Sequence, residues 1–377
     1  MNIGFDSKRA FFNNTGLGNY SRDTIRILGK YFPSNKYFLY TPKIITNNRL
    51  NFIRESNNYF VKSPKNILNK IFKNYWRTKN IVKNLIDDQI DIYHGLSHEL
   101  PLGIEKTNIK SIVTIHDLIF IRFPHFFSSI DRKIYKYKCK SACERASKII
   151  AVSNQTKRDI IQYLKISEKK INVIYQGCNN DFKQKINNEI KQKVFKKFNL
   201  PSTFCLYVGS IEERKNLLTL LKAMTKVNNK YLDLVVIGKG KKYKEKCIKY
   251  IIKNNLKNRV HFIENISTKE IAVIYHLAKM MIYPSKYEGF GIPIIESLFC
   301  KTPVITTKGG CFSESGGPNS MYVNSDCEIE LSGAINTLLN KSEVCDKMKK
   351  EGFIYAQNFK DEIIANNLMT TYKTLYS

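Results

Sequence analysis

Short apolar runs that stop at a glycine or a polar turn alternate along this chain with longer stretches whose apolar residues recur at helical spacing. Asn2–Phe5, Asp91–His94, Ser111–Ile115, Ser147–Ser153 and Ile171–Gly177 form one set of such runs. Phe204–Ser210, Asp233–Gly240, Val260–Ile263, Lys279–Tyr283 and Thr302–Thr306 form another. Runs this short and this continuously apolar predict strands buried on both faces, and the intervening helical patterns predict crossovers, so the chain reads as doubly wound α/β. The helical stretches begin where polar caps stand, as at Ser153-Asn154 and Thr268, and the last one runs from Asn358 to the end of the chain. A polar, lysine-rich stretch separates the two sets. We therefore expect a first domain over 1–178, a linker over 179–200, a second domain over 201–355 and a C-terminal helix over 356–377.

One segment departs from the strand–helix rhythm. Over 64–86, apolar residues stand at positions 67, 68, 71, 72, 75 and 76, while Lys and Arg fill much of the remainder. This predicts a basic amphipathic helix that either packs on a sheet or lies on an anionic membrane surface. Composition adds a net charge of +30, with Lys+Arg 62 against Asp+Glu 32. Such a balance suits nucleic acid, anionic lipid or a phosphorylated substrate, and it equally fits a compositional bias toward Lys, Asn and Ile. A basic nucleic-acid-binding protein is the reading that charge alone offers, but no recognition motif accompanies it and the aromatics look like core, so no nucleic-acid partner is expected. At 377 residues and 43% hydrophobic composition the chain can fill two cores. Its nine cysteines are scattered without a Cys-x-x-Cys pair or a Cys/His cluster, so no metal site is expected. With no signal peptide at Met1 and no apolar run near the roughly 18 residues of a membrane span, the expected location is the cytoplasm, with the inner face of the membrane as a peripheral address.

The densest chemistry lies in Tyr283-Pro-Ser-Lys-Tyr-Glu-Gly-Phe-Gly-Ile-Pro-Ile-Ile-Glu296. Gly289 and Gly291 let backbone amides approach a ligand, Pro293 suits the first turn of a helix, and free amides at that N-terminus from Phe290 to Ile292 form an anion site. Glu288 precedes the turn and Glu296 follows it by about one helical turn, so they can flank one bound molecule; two glutamates alone fit a turn cap and a solvated helix position as well. Elsewhere, Gly16 and Gly18 follow the first strand and fit either a phosphate-facing loop or a plain turn. His116 and Asp117 end a strand, where ligands bind in open α/β sheets. Arg214 and Lys215 follow the strand that breaks at Gly209-Ser210. Gly238 and Gly240 make only a weak dinucleotide fingerprint.

The Glu-x7-Glu spacing around Gly-Phe-Gly, with Val113-Thr-Ile-His-Asp-Leu118 and Glu212-Glu-Arg-Lys-Asn216, resembles the retaining nucleotide-sugar glycosyltransferases of the family-4 kind, and bacterial mannosyltransferases of surface-polysaccharide synthesis in particular. The resemblance runs through nearly the whole chain. It implies the GT-B fold, two Rossmann-like domains facing each other across a cleft, with the C-terminal helix returning to the first. It also implies a nucleoside diphosphate sugar donor on the second domain and a saccharide or lipid-linked acceptor on the first. By resemblance, Lys215 and Arg214 meet the donor diphosphate, Glu296 the ribose, and Glu288 and His116 the transferred sugar; Ser210, Gly16, Gly18 and the Gly289–Ile292 turn border the donor, and Asp117 either orients the imidazole or meets the acceptor. Many relatives carry arginine where this chain has Ser210, so Arg214 is expected to stand in for it. The implied reaction retains the anomeric configuration and needs neither metal nor cofactor. GDP-mannose is the first donor expected and UDP-hexoses the next, in the synthesis of lipopolysaccharide or capsule.

Overall fold

The computed structural model describes residues 1–45 and 47–376. The chain divides into two compact units, one comprising Met1–Gly177 and the stretch from Lys360 onward, the other Cys178–Phe359.

In the first unit, β1 (Asn2–Asp6), β2 (Lys36–Tyr40), β3 (Tyr59–Lys62), β4 (Ile92–Gly95), β5 (Lys110–Ile115), β6 (Lys148–Ala151) and β7 (Ile171–Val173) form one sheet. Their order is β3-β2-β1-β4-β5-β6-β7 and every pairing is parallel. Both faces are covered. Tyr37 and Leu39 enter a core with Ile3, Ile25 and Leu28, while Phe38 and Tyr40 enter the opposite core with Trp76, Leu85 and Tyr93. Successive side chains of a strand point to opposite faces, so a strand buried on both must be continuously apolar. The final helix, Asp361–Tyr376, belongs to this unit: Leu368, Met369 and Tyr372 pack with Ile25 and Leu28 of the helix Gly16–Tyr31, and Arg26 pairs with Asp361 at 2.8 Å.

The second unit repeats the scheme with β8 (Phe204–Val208), β9 (Asp233–Ile237), β10 (Val260–Ile263), β11 (Met280–Tyr283), β12 (Val304–Thr307) and β13 (Met321–Val323), ordered β10-β9-β8-β11-β12-β13 and again all parallel. In each sheet the strand order reverses between the first strand and the fourth. That reversal opens a crevice at the carboxyl ends of those two strands, where doubly wound sheets bind ligands.

Three features differ from the sequence expectation. Strands β2, β3 and β13 are not among the apolar runs expected from the sequence; β3 and β13 are short strands at sheet edges. The stretch 179–200 is not a free linker but part of the second unit: Asn188–Lys197 is helical, Val194 is buried, and the buried Phe182 ring meets Tyr275 edge-on at 5.5 Å. The amphipathic segment is not one helix. It breaks at Phe72 between Ile67–Ile71 and Lys73–Tyr75, then loosens into a π turn over Trp76–Asn80 before Ile81–Asp87. Burying Trp76, whose indole N–H donates to Asn84 Oδ1 at 2.8 Å, leaves Ile67, Leu68, Ile71 and Phe72 outside, at 74, 67, 65 and 60% exposure. Among the described residues no helix is long and apolar enough to cross a membrane.

Candidate active site

The crevice of the second sheet lies between the loops that leave β8 and β11, and several hydrogen bonds stitch those loops together. Beyond β8 the chain passes Gly209 at φ 152° and makes a tight turn, Glu213–Lys215, that ends on Asn216 in the left-handed region at φ 60°. The Asn216 amide donates to Pro284 O at 3.2 Å, while the Ser285 hydroxyl and the Lys286 amide donate to Arg214 O at 3.2 and 2.9 Å. Gly238 serves this architecture: a Cβ there would come 1.8 Å from Gly209 O, so its missing side chain lets the β9 loop pass the β8 loop closely.

These stitches bring three predicted residues onto one point. Glu288 Oε1 lies 2.6 Å from Lys215 Nζ and 2.7 Å from Arg214 Nη1, and the Ser285 hydroxyl donates to the same oxygen at 2.5 Å. Lys215 also donates to the Tyr283 hydroxyl at 2.7 Å, and Arg214 to Tyr287 O and Glu212 Oε1, each at 2.7 Å. The Glu288 side chain is only 11% exposed. Burial works to raise its pKa, but the Lys215 and Arg214 charges outweigh it and hold the carboxyl at about 2. Glu288 is therefore a carboxylate at every working pH, able to offer negative charge but not a proton. Burial pulls the Arg214 pKa down while Glu288 and Glu212 pull it up more strongly, so Arg214 stays a cation.

The helix Ile292–Phe299 follows, capped by Gly291 at φ 108°, a conformation that a side chain would strain. Glu296, on its second turn, accepts a hydrogen bond at 3.0 Å from the hydroxyl of Tyr275, which is buried on a neighbouring helix. Phe290 faces the interior, its ring edge-on to Phe359 at 5.6 Å, so only its backbone faces the turn's amide side. Ile292 is half-buried, Gly289 lies in the turn between Glu288 and Phe290, and Ser210 is exposed in the β8 loop, its carbonyl accepting from Tyr207 at 3.1 Å.

In the first unit the predicted histidine is deeply set. His116 lies past the end of β5, its Nε2 on Leu96 O at 2.9 Å, its Nδ1 facing the Gln176 amide at 3.4 Å, and Tyr20 edge-on at 4.6 Å. Burial, with the neighbouring His98, drives its pKa down to about 3, which fixes it as a neutral ring. Its backbone N–H donates to His98 Nε2 at 2.9 Å. The imidazole is oriented by Leu96 and Gln176, while Asp117 Oδ1 accepts from the Ile119 amide at 3.1 Å and starts the next helix. Gly16 and Gly18 lie not in a loop but in the first turn of the helix Gly16–Tyr31. A Cβ on Gly18 would come 1.8 Å from Asn13 O, so packing explains that glycine, whereas Gly16 faces open space.

Comparison with known proteins agrees with this architecture in both units. The family model described as Glycosyltransferase Family 4 matches residues 39–182, and that described as Glycosyl transferases group 1 matches residues 188–354. The chain belongs to the family-4 kind of GT-B glycosyltransferases. Among its relatives, the O-antigen chain mannosyltransferase RfbU of Salmonella typhimurium is 28% identical over 242 residues, 64% of this chain and 63% of that protein, so the chain matches a little under two thirds of that relative's length. The O-antigen chain mannosyltransferase B of Escherichia coli is 23% identical over 289 residues, 75% of this chain and 74% of that protein. The crystal structure of a glycosyltransferase from Rickettsia africae superposes with a TM-score of 0.76 at 19% identity, covering 99% of this chain and 98% of that one, which establishes the common fold.

For this glycosyltransferase, spacing did not reveal the residues that hold the candidate site in shape. Tyr275 grips Glu296, Ser285 and Tyr283 flank the Glu288–Lys215 pair, Asn216 staples the two loops, and His98 with Gln176 fixes His116. The left-handed Asn216, next to a lysine and before an apolar helix, is the one with a signal in the sequence, since Asn tolerates that conformation.

Proposed function

We propose that this glycosyltransferase moves a hexosyl unit, in the first instance mannose from GDP-mannose, to a saccharide or lipid-linked saccharide during cell-surface polysaccharide synthesis, with retention of configuration. The observation that carries the reading is the convergence of Lys215, Arg214 and Glu288 at the crevice between β8 and β11. Two fixed cations there suit the negative charge that grows on a departing diphosphate, and they supply it without calling on a metal ion. Glu288, ionised and buried, suits the positive charge that grows on the transferred sugar. Mannose as the sugar is supported by the names of the two O-antigen relatives. Glu296, at the helix that follows, is the residue for ribose hydroxyls, and neutral His116 is the residue for the transferred sugar in the first unit.

A lipid-linked acceptor is supported by the exposed Ile67, Leu68, Ile71 and Phe72 beside Lys70 and Lys73, a composition suited to peripheral contact with an anionic membrane. The test is a screen of GDP- and UDP-sugars for nucleotide release and sugar transfer. Release from GDP-mannose above the others is the expected result. Turnover of UDP-hexoses alone would move the base assignment, and no turnover of any sugar nucleotide would overturn the reading.

A further inference from the structure

We propose that Tyr372 of the C-terminal helix is a positioning residue for sugar transfer, acting through His94, Thr114 and Tyr20 on the tilt of the His116 ring; the link to transfer rests on the assignment of His116 to the transferred sugar above. The Tyr372 hydroxyl lies 2.6 Å from His94 Nδ1, His94 Nε2 lies 2.8 Å from Thr114 Oγ1, and the Tyr20 hydroxyl lies 3.0 Å from that same oxygen. This row of polar side chains joins the helix Asp361–Tyr376 to β4, to β5 and to the helix Gly16–Tyr31. It ends at the candidate site, because the Tyr20 ring meets His116 edge-on with centroids 4.6 Å apart.

Tyr20 can serve both neighbours because Thr114 and His116 stand two apart at the end of β5, the spacing that puts side chains on one face of a strand. Its hydroxyl is fixed on the first and its ring lies against the second. The His116 ring needs that support. Leu96 O and the Gln176 amide hold its two nitrogens, which still leaves the ring free to tilt about the line between them. The rings of Tyr20 and of His98, whose centroid is 5.5 Å away, oppose that tilt.

His94 passes direction along the row. Burial, with His116 nearby, holds its pKa down to about 3, so the ring is neutral and donates at one nitrogen while accepting at the other. When Tyr372 donates to Nδ1, Nε2–H donates to Thr114, and the Thr114 hydroxyl is left to donate to Tyr20. Each bond thus sets the next. Stability alone does not ask for this arrangement: Tyr372, His94, Thr114 and Tyr20 are all buried, in a core that includes Ile3, Phe5, Ile25, Ile112 and Leu368. Apolar side chains of the same shape would avoid the cost of desolvating four polar groups. What the polar groups add is one fixed orientation, and its free end lies on the site histidine.

Tyr372→Phe removes one oxygen and keeps the ring. Transfer kcat should fall about three- to tenfold, the size of one lost hydrogen bond, with affinity for free nucleotide unchanged because the nucleotide carries no sugar for His116 to meet. In a His116→Ala background the same substitution should cause no further loss, since a residue that acts through His116 has nothing left to act on. Tyr20→Phe, which leaves the bond between the C-terminal helix and His94 in place, should behave alike, and it carries the test if Tyr372→Phe does not fold. With carbon-13 at histidine Cε1, the His116 NMR signal, identified by its loss in His116→Ala, should move in both variants. Losses that simply add in the double variants, or a His116 signal that stays in place while only Tm falls, overturn the positioning role. If no sugar nucleotide is turned over, or if His116→Ala transfers sugar as well as the wild type, the reading above fails, and the NMR signal still decides separately whether the row orients the ring.

Discussion

The ammonium of Lys215 stands 2.6 Å from Glu288 Oε1 and 2.7 Å from the Tyr283 hydroxyl, so it is tied at once to the loop after β11 and to that strand's last residue. A lysine held this way loses little freedom when a diphosphate arrives. Its charge should then act mainly as charge grows on the leaving group. Lys215→Ala is expected to cut turnover by roughly 10²–10³ while changing donor affinity far less. Glu288 keeps Arg214 and Ser285 in that variant, so the fold should hold. Equal losses in binding with turnover untouched would reassign Lys215 to ground-state anchoring.

Glu288 should leave a mark on acid stability. Its folded pKa of about 2 lies below the ordinary 4.5, so the stabilisation is fully present above about pH 4.5 and is lost as pH falls toward 2. The full effect is about 3 kcal/mol, because lowering a carboxyl pKa tenfold in acidity constant stabilises the folded carboxylate by about 1.4 kcal/mol. Glu288→Gln, which leaves two buried cations facing an amide, should be most destabilised relative to wild type near neutrality, and the gap should narrow as both are titrated below pH 4.5. A gap that stays constant from pH 7 to 3.5 in urea melts would show that Glu288 carries no such linkage.

Glu296 and Tyr275 form a graded pair. If Glu296 holds ribose hydroxyls, Glu296→Ala should weaken donor and free nucleotide alike by about 1–3 kcal/mol, and Tyr275→Phe, which removes the hydroxyl's contacts with the carboxylate and with Pro293 O, by about 1 kcal/mol. Nucleotide affinity measured by calorimetry that is unchanged in a folded Glu296→Ala variant would remove the role.

How much of this could be seen in the sequence follows from the range of each interaction. The turn from Pro284 to Pro293 announces itself because glycine and proline punctuate an otherwise apolar run, and the doubly wound pattern follows from strands buried on both faces. Strands β3 and β13 escape notice because their runs are only four and three residues long and mostly half-buried, with Lys62 closing the first. The break at Phe72 escapes for a different reason: the apolar spacing of 67–76 fits one helix, and only the pull of Trp76 into the core, against Asn84, divides it. Tyr275 on Glu296, and Asn216 on Pro284, are contacts between segments distant in sequence, which no local spacing encodes.

That division of the basic segment also decides which lysines can meet lipid. Arg77 is 13% exposed and paired with Asp6 and Glu99, so it is no membrane contact. Lys70, Lys73 and Lys79 are exposed, as are Lys65 and Lys83 nearer the ends of the segment. Replacing Lys70, Lys73 and Lys79 by Gln should weaken binding to anionic vesicles by about 1 kcal/mol for each lysine, with the loss largest at low salt, while nucleotide release in solution is spared. Trp76, the single tryptophan, is buried, so its fluorescence should not follow binding, and sedimentation is the suitable readout. Wild-type protein that ignores such vesicles at low salt would refute the contact.

The last prediction is stereochemical: an α-linked donor should give an α-linked product. Inversion needs a base that deprotonates the attacking hydroxyl on the face opposite the leaving group. His116 is driven to a pKa of about 3 by burial and has both ring nitrogens on protein partners, so it is a poor base. Glu288 is poorer still at about 2, with two cations and a serine hydroxyl on one oxygen. A carboxylate can instead act as a nucleophile in a double displacement. Lys215 and Arg214 would have to release Glu288 for that, and they are the groups proposed for the diphosphate. Front-side attack, with the leaving phosphate taking the acceptor proton, asks for no base and keeps Glu288 as fixed negative charge beside the transferred sugar. Glu288→Gln should then impair transfer severely, and intact-protein mass spectrometry of the wild type during turnover should find no glycosyl adduct. An adduct on Glu288 would replace front-side attack by double displacement while leaving retention intact, whereas a β-linked first product, read by NMR, would overturn the mechanism altogether.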